Sequence, residues 1–240
     1  MKNTPAIFSR EMKAYFVSPV AYVALIVFVF FAGYFFAVYM NSASRYQGEA
    51  SMRMIFHNMS ITMLFLAPLM TMRLFAEEKR SGTIEILMTS PVTDAEVVLG
   101  KFAASLALFT IMLALTFTCP LFLVMYGTPD VAAMAVGYLG LFLLGAAFIS
   151  LGVVASSITK NQIISALISF VILLGLWTIG WMSTTVGSQL GKMLSFASLM
   201  EHFDDFSKGV LDTKHVIYYV SFAAFCLFLA VKSVQSAKWK

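Results

Sequence analysis

The chain has 240 residues, is 60% hydrophobic with a mean hydropathy of +0.87, and carries a formal net charge of +4. Soluble domains hold about 45–50% apolar residues, so this composition argues against a water-soluble helical fold. Strands of a membrane β-barrel alternate over about ten residues and no such alternation occurs, while so modest a charge gives no reason to expect nucleic acid as a partner.

Six stretches free of Asp, Glu, Lys and Arg cover residues 14–44, 54–72, 102–129, 131–159, 161–191 and 215–231. A helix needs about 20 apolar residues to cross the hydrocarbon core, about 17 at the short end, and all six meet that. The expected fold is therefore an all-α integral membrane protein of six transmembrane helices, a single domain over residues 1–240. The first apolar run starts only after Lys13, is too long for a signal-peptide core and has no small-residue cleavage site behind it, so a cleaved leader is not expected. With the N-terminus inside, the inner segments hold eleven Lys and Arg and the outer segments five. That bias places both termini in the cytoplasm.

In chain order, residues 2–17 read as a short helix lying on the inner membrane surface. Thr4 can cap it and Pro5 suits its first turn. Phe8, Met12, Tyr15 and Phe16 fall on one face, Arg10, Glu11 and Lys13 on the other. Ser18-Pro19 breaks this helix and opens the first span. The second span contains Pro68 and is expected to run on past Arg73 as a cytoplasmic helix, with Arg73, Glu77 and Arg80 three or four apart and able to pair. Gly82 can end that helix in a left-handed conformation. Ile84, Ile86, Leu87 and Met88 follow, to pack under the spans or to meet a partner. Thr93-x-x-Glu96 is a capping box that opens the helix leading through Lys101 into the third span.

This cytoplasmic segment is unusual in charge. Nine of the 28 charged residues fall in the 30 positions 72–101, against about 3.5 for an even spread. Two helix ends joined by a structured, charged elbow (residues 73–100) form a surface suited to a partner in water. Farther along, residues 126–130 are short enough to force a hairpin between the third and fourth spans. The fourth span carries Ala133-xxx-Gly137, Ala146-xxx-Ser150 and Gly152-xxx-Ser156, spacings that let helices approach closely; packing within the bundle is the favoured reading over a dimer seam. Residues 183–214 form an external loop, with partial re-entry expected over 190–199.

The chemistry present is sparse. No GxxxxGK[ST], HExxH or CxxC motif occurs, so no cofactor or metal is expected on this chain. Cys119 and Cys226 lie inside apolar runs and read as small apolar residues. His202, Asp204, Asp205 and His215 fit no standard metal spacing and read as solvated loop charge. A charge at the centre of a span costs about 2.5–3.5 kcal/mol, and the spans avoid it, with only His57 and His215 near outer ends. Proton-coupled transport is therefore not expected, backbone sodium sites stay open, and the energy source lies outside the chain.

The segment PLMTMRLFAEEKRSGTIEILMTSPVTDAEVVLGK, residues 68–101, resembles the signature of type 2 ABC transporter permeases, and within them the gliding-motility-associated permease subunits. The six-span layout, the N-terminal interfacial helix and SSITKNQ at 156–162 resemble the same family. The resemblance implies a non-catalytic permease subunit of a bacterial inner-membrane transporter, an exporter, that pairs with a second permease, identical or different. It also implies a separately encoded ABC ATPase carrying the ATP and Mg, with the loop after the second span as its coupling element. The residues that match are Arg73, Glu77, Glu78, Arg80, Gly82, Thr83 and Glu85, with Pro91 and Lys101 closing the motif. Glu78 and Arg80 are expected to form ion pairs and Gly82 the turn. Two other classes remain: a membrane scaffold or assembly subunit, and an ATP-independent channel or secondary transporter.

Overall fold

Proline and glycine set several helix boundaries in the computed structural model, which describes residues 3–46, 51–83, 92–127, 129–183, 191 and 195–236. Helix α1 (Thr4–Val17) stops at Ser18, whose backbone is extended, and α2 (Pro19–Tyr46) begins at the proline. Then follow α3 (Arg53–Thr71), α4 (Ala76–Ser81), α5 (Asp94–Leu115), α6 (Thr118–Tyr126), α7 (Val131–Ile158), α8 (Gln162–Ser183), α9 (Leu199–Ser207) and α10 (Thr213–Ser236). Six segments are long and apolar enough to cross a membrane: α2, α3 with α4, α5 with α6, α7, α8 and α10. The protein is an all-α, multi-pass integral membrane protein.

Several expectations meet corrections. Asn3, not Thr4, holds the N-cap position of α1, and the buried Thr4 hydroxyl has no hydrogen-bond partner among the described residues. The inward line of α1 runs through Ile7, Glu11 and Tyr15, while Phe16 points outward at 41% exposure. Glu11 is drawn inward because α1 lies along α5, where a cation waits for it. The second span does not continue smoothly past Arg73: the helix breaks over Met72–Phe75 and restarts as α4. The third span breaks too, at Thr116–Phe117. Pro120 has no N–H to offer the Thr116 carbonyl, which accepts instead from Cys119 N at 3.0 Å and the Tyr138 hydroxyl at 3.1 Å.

The most buried span is α7, and it packs on α3, α5, α8, α9 and α10. Its small residues serve this packing. A Cβ at Gly137 would lie 2.0 Å from Phe56 and one at Gly145 2.0 Å from Phe109, while Gly152 faces Thr71 of α3. By contrast α2 and α10 bury only 17% of their apolar windows. The end of the bundle carrying α1, α4 and the C-terminal turns of α7 and α10 is termed the near end. The far end holds the α6–α7 hairpin and α9. Asp130 caps α7 there, accepting from Ala132 N and Ala133 N at 2.9 and 3.1 Å. The stretch expected as an external loop thus includes a helix, α9, capped by Ser198; of the 190–199 re-entry, residues 190 and 192–194 lie outside the described residues.

Candidate functional site

The near-end site is built around the break between α3 and α4. A helix restart leaves backbone N–H groups without partners, and here one side chain supplies them. Ser156 Oγ, at the end of α7, accepts from Phe75 N at 3.0 Å and Ala76 N at 3.2 Å, and donates to the Met72 carbonyl at 3.1 Å. Next to it, Lys79 Nζ donates to the Ser157 carbonyl, which also accepts from Ser233 Oγ of α10 at 2.9 Å. The short helix is thereby fastened to the end of α7, and α7 to α10 at the same carbonyl.

A four-charge network fastens its other flank. Lys101 of α5 is 1% exposed, and its Nζ donates to Glu11 Oε1 at 3.0 Å and Glu78 Oε1 at 2.9 Å. Arg10 bridges the same two carboxylates, at 3.2 Å from Glu11 and 2.7 Å from Glu78. A buried ammonium is tolerable only when paired and hydrogen-bonded; two carboxylates, with the Phe75 ring 5.2 Å away, meet that demand. Two cations and two anions make the cluster neutral, and it joins α1, α4 and α5. Glu78 Oε2 keeps no hydrogen-bond partner among the described residues.

Further contacts hold α1 in place. The Tyr15 hydroxyl donates to the Met70 carbonyl at 3.0 Å and shares a hydrogen with Ser105 at 2.8 Å. Glu96 closes the capping box of α5, accepting from Thr93 N at 3.1 Å while Thr93 Oγ1 accepts from Glu96 N at 3.3 Å; Asn3 N of α1 also reaches Glu96, at 3.4 Å. A cavity of about 260 Å³ lies beside the network, lined by Arg10, Tyr15, Leu69, Arg73 and Glu78 among others. Outward, α4 and the turn that ends it present Glu77, Arg80, Ser81, Gly82 and Thr83, all exposed. Gly82 ends the helix with φ +74°, the left-handed conformation that favours glycine.

One family pattern runs from within α1 to within α10: the model described as ABC-2 family transporter protein matches residues 6–234. The chain belongs to that family. It is a permease subunit of an ABC transporter, of a class that is generally non-catalytic. No curated protein matches the chain.

In this ABC-2 permease, the residues expected at the loop divide into two sets. Glu78 and Lys101 meet inside the bundle end. Glu77, Arg80, Gly82 and Thr83 stand on the exposed rim. Arg73 joins neither; it donates to Ser18 Oγ at 3.4 Å. The expected pairing of Arg73, Glu77 and Arg80 does not form, because the break at Met72–Phe75 destroys the helical register between Arg73 and α4, and Glu77 and Arg80 have no ionic partner among the described residues. Glu85, Pro91 and the apolar residues Ile84 to Met88 lie outside the described residues. Sequence reasoning missed Arg10 and Glu11 as members of the site; it saw Ser156 as a small packing residue and as part of a family likeness, and Ser157 only in that likeness. One signal for the former existed: Lys101 sits between Val97–Gly100 and a long apolar run, too deep to be solvated alone.

Proposed function

We propose that α4 is the surface through which a separate ABC ATPase drives this permease. The observation that carries the reading is the two-sided character of α4. Its outer side offers exposed charges of both signs, and its inner side is tied to α1, α5 and α7 by hydrogen bonds and ion pairs. A helix held so rigidly passes a displacement to the spans rather than absorbing it. The near end then faces the ATPase, which puts both termini in the cytoplasm of a bacterial inner membrane, in agreement with the Lys and Arg bias. ATP and Mg belong to the partner. The likeness of residues 68–101 to gliding-motility-associated permeases supports a partner encoded on a separate chain and export as the direction.

Two exposed apolar stripes support a second permease subunit as the other partner, with lipid on what remains. One runs along α2 through Tyr22, Ile26, Phe30 and Tyr34, and one along α8 through Ile163, Leu167 and Val171. The test is co-purification of the candidate ATPase with wild type, with the Glu77→Lys/Arg80→Glu double variant and with Lys101→Met. The double variant is expected to lose the ATPase while melting like wild type. If it retains the ATPase fully, α4 is not the docking surface. If wild type captures no ATPase, the scaffold and channel readings move ahead.

A further inference from the structure

At the far end, two histidines expected to be solvated are buried against each other. His202 of α9 is 7% exposed and His215 of α10 is 4% exposed. Their Nδ1 atoms lie 2.6 Å apart. His202 Nε2 is 3.0 Å from the Phe196 carbonyl, and His215 Nε2 is 2.8 Å from Asp205 Oδ2. Tyr218 stacks on His202 at 3.9 Å, and Phe196 and Phe206 set their ring edges around the pair.

Hydrogen counting makes this arrangement informative. A carbonyl only accepts, so His202 Nε2 carries a hydrogen; an ionised carboxylate only accepts, so His215 Nε2 carries one too. Two neutral imidazoles in those tautomers would aim two Nδ1 lone pairs at each other. At 2.6 Å that contact is repulsive unless a cation sits between them. A metal ion does not fit: nitrogen ligands at about 2.0–2.1 Å from tetrahedral zinc are about 3.3 Å apart, and no group of metal-binding side chains occurs among the described residues. A proton fits. Moving it to Asp205, so that the acid donates to His215 Nε2, leaves the same count in the trio.

We propose that His202, His215 and Asp205 form a proton-binding site that holds one proton in the folded protein, shared across the two Nδ1 atoms, and refuses a second. The surrounding charges favour this stoichiometry. Asp205 supplies the counter-charge, itself 3.9 Å from Lys208 on the same helix. Asp204 is occupied by Arg53 of α3 and by Lys208. Lys214 beside His215 pairs with Asp212 at 3.0 Å, and Glu201 flanks His202 in sequence. From α7 and α8, which pack against α9, the only titratable side chain within the helices is Tyr138. Burial holds His202 below its ordinary range; the bond to Phe196 opposes this, and His215 adds to it. A second proton would set two N–H groups head to head and separate α9 from the start of α10.

The test uses the full chain in nanodiscs with ¹⁵N-labelled histidine, recorded from pH 5 to 9 without added metal. His57 is the third histidine and is set aside by difference against His202→Asn and His215→Asn. At pH 7.5 both Nε2 atoms are expected to be protonated, with one further proton signal shared by the pair and absent from either variant. Asp205→Asn keeps the rings but removes the counter-charge, so the shared proton is expected to leave about one to three pH units lower than in wild type. Independent titration of both rings near pH 6.5 would overturn the proposal, as would an unchanged titration in Asp205→Asn. Replacement of the shared-proton signal by one equivalent of Zn²⁺ at pH 7.5 would also overturn it, in favour of a metal site.

Discussion

The two ends of this permease solve one problem in different chemistry. Each must hold a short helix against the bundle, α4 at the near end and α9 at the far end. The near end uses guanidinium, ammonium and carboxylate groups with a serine hydroxyl. The far end uses imidazoles in an aromatic cage, with tyrosine hydroxyls bonding the backbone on either side of Ser198: Tyr218 to the Ala197 carbonyl at 2.9 Å and Tyr219 to the Leu199 carbonyl at 2.6 Å. Imidazole is the one side chain whose ordinary titration falls between pH 5 and 8. On the proposal above the fastening of α9 responds to pH, whereas α4 is held by groups whose ordinary titration lies outside pH 5 to 8.

Four experiments can break or sharpen that contrast. The largest effect is expected for Lys101→Met, which leaves Glu11 and Glu78 facing each other with one exposed cation. Uncompensated buried charge costs about 3–5 kcal/mol, and thermal melting should show that loss equally at pH 6 and pH 8. Recovery on adding Glu78→Gln would confirm that charge, not packing, is the cause. Next comes Ser156→Ala, which orphans Phe75 N and Ala76 N; an unsatisfied buried group costs about 1–3 kcal/mol, and proteolysis should reach the Met72–Phe75 break first. A wild-type rate of cleavage there would remove Ser156 from the account.

A pair of glycines compares the ends directly. Gly82 and Gly209 both have positive φ, +74° and +82°. An alanine at Gly82 meets open space, so only the left-handed conformation opposes it, at about 1–2 kcal/mol. At Gly209 the new methyl would also lie 2.6 Å from Ala133 Cβ. Gly209→Ala is therefore expected to lower the melting temperature more than Gly82→Ala, and equal shifts would contradict the packing of this turn on α7. The smallest effect is that of pH on His202. Burial, with His215 beside it, holds His202 below its ordinary range, so on acidification the unfolded chain takes up its protons before the folded pair accepts a second one. This contribution to stability is complete above about pH 6.5, the ordinary value, and is lost as the pH falls below it. His202→Asn should flatten that acid limb; an unaltered limb would assign it to other groups.

Local devices were legible in the sequence because each is written within a few residues. The six spans, the Ser18-Pro19 break, the Thr93–Glu96 capping box and the left-handed Gly82 all follow from short patterns. What was not legible depends on chain segments far apart. Glu11 meets Lys101 across 90 positions and Ser156 meets Phe75 across 81, and a helical wheel of residues 4–17 alone puts Glu11 with the solvent-facing charges. His202 and His215 are only 13 apart, yet their meeting depends on how the turn at Gly209 folds α9 back onto α10. The break in the third span did carry a local signal, Pro120, which removes the donor for Thr116; the length of the apolar run concealed it.

The single oxygen of Ser156 has one more consequence. Because it occupies the N–H groups at the restart of α4, that helix is joined by hydrogen bonds to α7, while its covalent neighbour α3 is separated from it by the break. A push delivered to α4 would therefore reach α7 directly through Ser156, and α5 and α1 directly through Glu78, without having to pass along α3. The chain order of the spans and the order in which they would feel such a push are different sequences.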